Sequence, residues 1–474
     1  MGRCLSALIL AIAGFGVACS QPVAPEGAIN IVLVSLESLR TDHVGAYGGY
    51  SPMQPTIPVM PALDRFAAAA TVYEDAHSVT SWTLASHASL FTGLYPSGHQ
   101  TDGPMDRLDD SYSTLAEVLA SHGYQTAGVI SGPYLRGSYN LNQGFEIYDQ
   151  ESASVANVQG HRDVTNPRME QALRRFLERD RDPERPFFLF AYFWDPHFDF
   201  LPPAPYDEMF AAPDAERIDL SSFDTNPAIH QNMSEQAKGW ILAQYAGELR
   251  WTDEHLGRFF DLLRRLELWN DTLVIVTADH GEEFFDHGEK GHKNNLHAET
   301  VRVPLIVKYP GQREGRRDGR LVSLVDIAPT VFALAGVEVD QPLHGRSLLS
   351  PEDDPERAIF YELRQLQYYR GPEGERFSQG GRWGGVRQGD LKLIWFEKDA
   401  QTKRILKLYD VRQDPGETKL VSDAHPGRTQ QLLQLFEDRM AKAREDASNY
   451  RRGGTVSLTP EELRQLEALG YFER

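Results

Sequence analysis

Two apolar segments of the chain end in side chains that metal ions use as ligands. The segment INIVLVSL (29–36) leads directly into Glu37, and TLVIVTA (272–278) leads directly into Asp279 and His280. If these segments are neighbouring parallel strands, the three side chains share the carboxyl edge of one sheet, where ligands of such sheets bind. Each side chain could instead cap a nearby helix or turn. The two segments together favour a site for one divalent cation.

A third segment, TLASHASLFTG (83–93), begins with a hydroxyl at the start of a helical pattern. Backbone N–H groups at a helix N-terminus attract anions, and the helix dipole stabilises an alkoxide there. Thr83 is therefore a candidate nucleophile. Threonine is also a common helix N-cap, so a purely structural role stays open at this point.

Short apolar runs and helical patterns alternate along the chain around these residues. The runs that we interpret as buried, parallel-type strands are 29–36, 126–131, 187–194, 272–278 and 303–309. The clearest helical patterns cover 113–123, 167–180 and 234–268. This alternation predicts an α/β fold with a doubly wound, mostly parallel sheet.

The pattern changes in the last third of the chain. Residues 384–399 and 406–411 resemble an antiparallel hairpin or meander, and 459–472 begins with a capping box from Thr459 to Glu462. We therefore predict a catalytic domain at 20–345 and a smaller C-terminal α+β subdomain at 346–474.

The charge balance restricts the class of ligand. The chain has 474 residues with 48 basic and 68 acidic side chains, a net charge of −20. Nucleic acid is therefore an unsuitable partner, because phosphate backbones need a basic surface. A small anionic ester needs only a local positive site. The sequence gives no indication of an oligomeric state.

Residues 1–19 have the pattern of an export signal. Arg3 precedes an apolar stretch that is too short to span a membrane, and Gly16-Val17-Ala18 forms a small-residue cleavage site. We therefore expect the protein in the periplasm or cell envelope. Cys19 directly follows that site and resembles a lipidated cysteine, so membrane attachment and simple cleavage both stay open. Cys4 and Cys19 are the two cysteines of the chain, which leaves none in the mature domain.

Six ordered segments resemble the sulfatase family of the alkaline phosphatase superfamily. They are 37–42, 83–93, 278–284, 291–307, 323–336 and 466–472. The resemblance implies that Thr83 occupies the nucleophile position and that Glu37, Asp279 and His280 bind metal. It also implies an anion-binding role for Lys293. His292 and His197 fall where the family has active-site histidines.

The departures from the family pattern concern the chemistry itself. Sulfatases oxidise a Cys or Ser to formylglycine at the nucleophile position, and Thr83 has no route to that aldehyde. Glu37-Ser38 replaces a pair of carboxylates, Asp279-His280 replaces Asp-Asn, and His87 replaces an Arg. Such a set resembles the phosphoethanolamine transferases and lipoteichoic acid synthases, which use a plain Thr and a transition metal.

The expected site contains one divalent metal ion bound by Glu37, Thr83, Asp279 and His280. Imidazole favours Zn²⁺ or Mn²⁺, with Ca²⁺ as the alternative. The side chains expected to act on the substrate are Thr83, His87, Lys293, His292 and His197.

Three functions are compatible with this site. We expect a hydrolase of phospho- or phosphonoesters that uses a Thr nucleophile. The alternatives are a sulfuric ester hydrolase that acts without formylglycine and a non-catalytic binder of sulfated or phosphorylated glycans.

Overall fold

A computed structural model describes six stretches of the chain: 23–154, 165–351, 354–365, 367–370, 376–399 and 401–468. The predicted export signal, Cys19 and the last residues of the 459–472 segment lie outside the described residues. None of the helices in the described stretches is long and apolar enough to cross a bilayer.

Ten strands lie in the first three quarters of the described chain. They are β1 Asn30–Leu36, β2 Thr71–His77, β3 Gln125–Ile130, β4 Ile147–Asp149, β5 Phe187–Phe193, β6 Thr272–Ala278, β7 Glu283–Phe284, β8 Lys290–Gly291, β9 Leu305–Lys308 and β10 Arg316–Ser323. Eight of them form one sheet in the order β10-β2-β9-β6-β1-β5-β3-β4, and β7 and β8 form a separate short hairpin. The central strands β1, β5 and β6 are almost fully buried, which explains their continuous apolar sequences.

The sheet is mostly parallel, as predicted, but β9 is antiparallel to both of its neighbours. The prediction of a parallel-type strand at 303–309 was therefore wrong. A parallel return to the sheet needs a crossover, usually through a helix. The segment between β6 and β9 contains only the short β7–β8 hairpin and a four-residue helix. The chain therefore returns to the sheet at the carboxyl end of β6, so β9 runs antiparallel to β6.

Helices connect and cover the strands. The described helices are α1 Pro61–Ala67, α2 Thr83–Thr92, α3 Pro96–His99, α4 Leu115–Ser121, α5 Asn166–Arg175, α6 Tyr206–Met209, α7 Glu235–Arg265, α8 Ala298–Val301, α9 Ile327–Ala335, α10 Pro426–Ala447 and α11 Pro460–Ala468. The three helical patterns of the sequence correspond to α4, α5 and α7, with a π-helical turn at Phe176–Asp180 after α5. The predicted α/β architecture is confirmed.

A second, antiparallel sheet follows the main one along the chain. The later strands are β11 Ala358–Arg364, β12 Gln367–Arg370, β13 Arg376–Gln379, β14 Arg382–Gln388, β15 Leu391–Glu397 and β16 Ile405–Asp410. Four of them pair in the order β11-β14-β15-β16. The predicted meander corresponds to β14, β15 and β16. The capping box at the start of α11 is formed, because Thr459 Oγ1 accepts a hydrogen bond from the N–H of Glu462 at 3.2 Å.

A buried ion pair links this second sheet to the segment between β6 and β9. Lys392 Nζ on β15 donates to Glu417 Oε1 at 2.7 Å, and His297 Nδ1 lies 2.9 Å from Glu417 Oε2. Burial raises the pKa of Glu417, but the Lys392 charge and the His297 contact outweigh it and hold that pKa at about 2. Glu417 is therefore a charged group inside the protein. It holds β15 against the start of α8.

We expect Glu417→Gln to lower the free energy of unfolding by about 3 kcal/mol, because it leaves the Lys392 ammonium buried without a counter-charge. Urea unfolding at pH 7 measures this loss. The double variant Glu417→Gln/Lys392→Met removes both charges and should recover most of the stability. If the double variant were as unstable as the single one, the charge would not be the cause.

The same pair predicts a pH dependence. The pKa of Glu417 is lower in the folded protein than its ordinary value of 4.5, so the stabilisation is complete above that value and is lost as the pH falls towards about 2. The stability difference between wild type and Glu417→Gln should therefore shrink over this interval. A constant difference would contradict the assignment.

Candidate active site

The register of two parallel strands places Glu37 beside Asp279. Leu36 at the end of β1 pairs with Ala278 at the end of β6, so the next residue of each strand emerges at the same edge. Both carboxylates are essentially inaccessible to solvent. The backbone N–H of Ser38 donates to Asp279 Oδ1 at 3.2 Å, which ties the two strand ends together. The predicted neighbourhood of these side chains is thus present.

His280 faces both carboxylates with one ring nitrogen. Its Nε2 lies 3.4 Å from Glu37 Oε1 and 3.5 Å from Asp279 Oδ2. Its Nδ1 lies 2.9 Å from the carbonyl oxygen of Gly281, which can only accept, so Nδ1 carries the proton. Burial lowers the pKa of His280, so the ring is neutral and Nε2 presents a lone pair. A lone pair that faces two carboxylates is stable when a cation lies between them.

His292 supplies a second imidazole nitrogen. Its Nδ1 lies 3.2 Å from Glu282 Oε1, which orients the ring. Its Nε2 is buried and has no hydrogen-bond partner, and the same is true of Asp279 Oδ2. One ligand atom each from Glu37, His280 and His292 lie within 4.8 Å of one another. The orphaned atoms and the mixed nitrogen and oxygen donors fit a divalent metal ion.

The charges of the site also fit a cation. Burial, and then the charge of Asp279, raises the pKa of Glu37 to about 7. Burial likewise raises the pKa of Asp279 to about 7 and that of Glu282 well above its ordinary value. Three carboxylates are thus crowded together in a place where water cannot stabilise them. A bound cation removes this penalty, because it favours their ionised forms.

Thr83 is the first residue of α2, and its hydroxyl is not used as a helix cap. The N-cap residue is Trp82, which makes no capping hydrogen bond through its side chain. Thr83 Oγ1 instead contacts His280 Nε2 at 3.2 Å. The hydroxyl therefore lies against the candidate metal ligands, at the end of α2 where backbone N–H groups are free.

His87 lies one turn further along α2, and both of its ring nitrogens are already used. Nδ1 donates to the carbonyl oxygen of Thr83 at 2.9 Å, and Nε2 accepts from Ser35 Oγ at 3.0 Å. The ring is fully buried, and burial lowers its pKa to about 3. Contrary to the expectation from the sequence, these contacts fit a neutral residue that positions α2 and do not fit one that contacts substrate.

Lys293 and His197 lie at the border of the site. The backbone N–H of Lys293 donates to Ser81 O at 3.0 Å, which fixes this residue next to the start of α2. Burial lowers the pKa of Lys293, while the charges of Asp224 and Glu282 oppose that shift. The His197 ring stacks on Trp194 with centroids 4.9 Å apart, and its centroid lies 5.2 Å from that of His292.

Sequence reasoning missed three residues of this site. Glu282, which orients His292, stands in the segment ADHGEEF directly after His280, so its position was a usable signal. Tyr192 donates to Glu37 Oε2 and is the one residue with a hydroxyl in the apolar run of β5. Asp224 lies in an aperiodic loop without any signal. A Cβ atom on Gly291 would lie 3.1 Å from Asp224 Oδ1, so this loop reaches the site closely.

The Thr83 hydroxyl at a helix N-terminus, beside buried carboxylates and imidazoles, is an arrangement that a metal-dependent ester hydrolase could use. Residues 29–337 match the sulfatase family, and residues 286–446 match the C-terminal region of N-sulphoglucosamine sulphohydrolase. The first match covers more than half of the chain. The chain therefore belongs to the sulfatase family of the alkaline phosphatase-like superfamily, and it is a hydrolase of ester bonds.

Named relatives include enzymes that act on different esters. The chain is 23% identical over 429 residues to arylsulfatase K of Rattus norvegicus, covering 81% of this chain and 74% of the relative. It is 23% identical over 518 residues to N-acetylglucosamine-6-O-sulfatase of Bacteroides thetaiotaomicron, covering 91% and 90%. The phosphonate monoester hydrolase of Agrobacterium radiobacter has a similar fold, with a TM-score of 0.69, 21% identity, and coverage of 88% and 96%.

We expect His292→Ala to weaken metal binding at least 10-fold, since loss of a ligand should cost no less than loss of a residue that supports one. Metal content after dialysis against a graded chelator series measures the effect. His425→Ala, which removes an exposed histidine at the start of α10, is the matched control. Equal metal retention in both variants would remove His292 from the ligand set.

Proposed function

We propose that this protein hydrolyses phosphate or phosphonate esters with the Thr83 hydroxyl as its nucleophile. The observation that carries the proposal is the contact of 3.2 Å between Thr83 Oγ1 and His280 Nε2, beside the carboxylates of Glu37 and Asp279. Threonine cannot become formylglycine, and both cysteines precede residue 20. An ester formed on Thr83 therefore has to be cleaved by water.

Glu37, His280 and His292 would hold one divalent cation, with Asp279 Oδ2 facing the same space. A bound cation would lower the pKa of the Thr83 hydroxyl and neutralise charge on the substrate. Two imidazoles among the donors favour Zn²⁺ or Mn²⁺ over Ca²⁺, which prefers oxygen ligands. This active-site set is the basis of the likeness to phosphoethanolamine transferases and lipoteichoic acid synthases.

The groups around Thr83 would bind the oxygens of the ester and protonate the leaving group. The N–H groups at the start of α2 and the Lys293 ammonium would hold the non-bridging oxygens of the ester. The Thr83 hydroxyl would lose its proton to solvent, its oxygen would bond to phosphorus in line, and the bond from phosphorus to the ester oxygen would break, with that oxygen taking up a proton. His197, held on Trp194 beside His292, is the proposed proton donor. Water would then cleave the Thr83 ester and restore the hydroxyl.

Sulfate esters are the second candidate substrates. The family match and the two sulfatase relatives favour them, whereas the Thr in place of a formylglycine precursor speaks against them. A role as a glycan binder without catalysis is the third reading. This third reading is weakened because the chain keeps side chains that could bind metal, attack an ester and bind an anion. These are Glu37, Thr83, Asp279, His280 and Lys293.

We also propose that the enzyme acts outside the cytoplasm, in the periplasm or cell envelope. The pattern of residues 1–19 supports export, and a lipidated Cys19 would attach the enzyme to a membrane. Its ligand would be a small anionic ester.

We expect aryl phosphates or phosphonates to be hydrolysed at least ~10-fold better by kcat/KM than the matching aryl sulfate, a difference of about 1.4 kcal/mol in transition-state stabilisation. Formylglycine releases sulfate by collapsing to an aldehyde, a route that Thr83 lacks. The assay uses one aryl leaving group, one metal and one enzyme batch. Equal rates, or faster sulfate hydrolysis, would favour the sulfatase alternative.

We expect Thr83→Ala to abolish turnover while metal content and thermal stability stay close to wild type. The covalent step is worth several orders of magnitude in rate, whereas the Thr83 hydroxyl does not cap α2, so its loss should cost little stability. Thr83→Ser keeps the hydroxyl and is the matched control, with measurable turnover expected. An alanine variant with more than about a tenth of wild-type kcat would rule out a nucleophilic role.

We expect a chelator to abolish activity and Zn²⁺ or Mn²⁺ to restore it better than Ca²⁺. The reason is the pair of imidazole nitrogens, from His280 and His292, in the proposed ligand set. Activity and bound metal are measured together for each ion. Full recovery with Ca²⁺ alone would contradict the assignment.

A further inference from the structure

A second cavity, of about 600 Å³, lies far from the nucleophile. It is partly open to solvent and is lined by α3, by strands β11, β14 and β15 of the second sheet, and by α10. Thr83 begins α2, and α3 follows the other end of that helix. Because α2 has 10 residues, its ends are about 15 Å apart. We call this space the arginine-lined cavity, after Arg364, Arg382, Arg404, Arg444 and Arg452 in its wall.

The acidic groups in this wall already have partners. Arg404 donates to Glu397 at 3.2 Å and to Glu437 at 2.5 Å. Asp102 lies 3.5 Å from Arg364. The two oxygens of Glu362 accept from the N–H and the hydroxyl of Ser97. No carboxylate of the described wall therefore lacks a hydrogen-bond partner.

Three arginines of the wall have no such partner. Arg382, Arg444 and Arg452 are solvent-exposed, and their side chains make no ion pair or hydrogen bond within the described part of the chain. Arg382 on β14 lies opposite Arg364 on β11, a repulsive pair, and opposite Glu397 on β15, an attractive one. A guanidinium stays charged at all physiological pH values. With five arginines and four carboxylates in its wall, the cavity has one positive group in excess.

Two buried indole N–H groups of the wall also lack acceptors. Neither Trp383 Nε1 nor Trp395 Nε1 has a hydrogen-bond partner. Trp395 is 5% exposed, and the Arg404 guanidinium carbon lies 4.5 Å from the centroid of its ring. Indole nitrogen can only donate. Both nitrogens are closed to solvent, so the donors that a ligand in the cavity can reach are the exposed guanidinium groups.

We propose that the arginine-lined cavity is a second ligand site that binds an oxyanion, a phosphate or sulfate group, independently of Thr83. An oxyanion supplies the hydrogen-bond acceptors and the negative charge that the side chains of Arg382 and Arg444 lack. The volume is within the usual range for small-molecule sites, so it also has room for the organic body of an ester. The anion could come from two sources, the free inorganic product or a second anionic group on the substrate.

Equilibrium binding of inorganic phosphate, measured by calorimetry on the metal-loaded full chain, tests the proposal. We expect Arg382→Gln/Arg444→Gln to weaken the second site at least ~10-fold, because two charge-assisted contacts are lost. Arg265→Gln/Arg313→Gln changes the net charge equally at exposed, unpaired arginines and should leave the Kd unchanged. Lys293→Ala should leave the second site intact. The kcat of the Arg382→Gln/Arg444→Gln variant should match wild type.

A further variant guards against misfolding. Arg382→Lys/Arg444→Lys keeps both positive charges, and we expect it to recover most of the phosphate binding that Arg382→Gln/Arg444→Gln loses, with an unchanged melting temperature. Replacing phosphate by glucose 6-phosphate distinguishes the two sources: tighter binding of the ester indicates a substrate group, and equal binding indicates the free anion. The proposal is overturned if Lys293→Ala abolishes all phosphate binding, or if both arginine double variants weaken binding equally.

Discussion

The in-register pairing of β1 with β6 is the constraint on which the active site depends. It brings Glu37 and Asp279 out of the sheet side by side, where neither carboxylate reaches water. Two buried carboxylates are costly unless a cation or a proton balances them. The unprotonated Nε2 of His280 faces the same space, so one cation could take a donor atom from each of these three side chains. The buried strand ends thus carry negative charge that a bound metal ion would balance.

The segment between β6 and β9 completes the site because it stays at the carboxyl end of β6. It carries Asp279, His280, Glu282, His292 and Lys293 within a short stretch of chain, and its far end is anchored by Glu417 from beyond the second sheet. Burial of the Lys392–Glu417 pair makes that anchor stiff, since water cannot compete for either side chain. The antiparallel direction of β9 and the placement of His292 have the same origin. Both follow from a connection that stays at the carboxyl end of β6 and contains no crossover helix.

The sequence predicted the parts of the fold that follow from periodicity. The runs at β1, β5 and β6 are apolar throughout because both faces of these strands are covered. Hydrophobicity carries no direction, which is why the run at β9 was assigned to the wrong strand type. The edge strand β10, RRDGRLVS, was missed because most of its residues are exposed or half-buried. Within the site, Glu37, Asp279 and His280 could be predicted because each directly follows a strand, whereas Asp224 comes from a loop that only the folded chain brings to Gly291.

The contacts of Thr83 and His87 show that these two residues of α2 have different roles. A threonine that served the helix would accept a hydrogen bond from a backbone N–H one turn later, but the N-cap position belongs to Trp82. The Thr83 hydroxyl is therefore released from the helix and lies against His280. His87, one turn on, donates to the Thr83 carbonyl within α2 and accepts from Ser35 on β1, so rotation of the first turn would break the contact with Ser35. This arrangement keeps the hydroxyl fixed relative to the buried carboxylates, and fixed geometry of this kind is what a nucleophile in an in-line displacement requires.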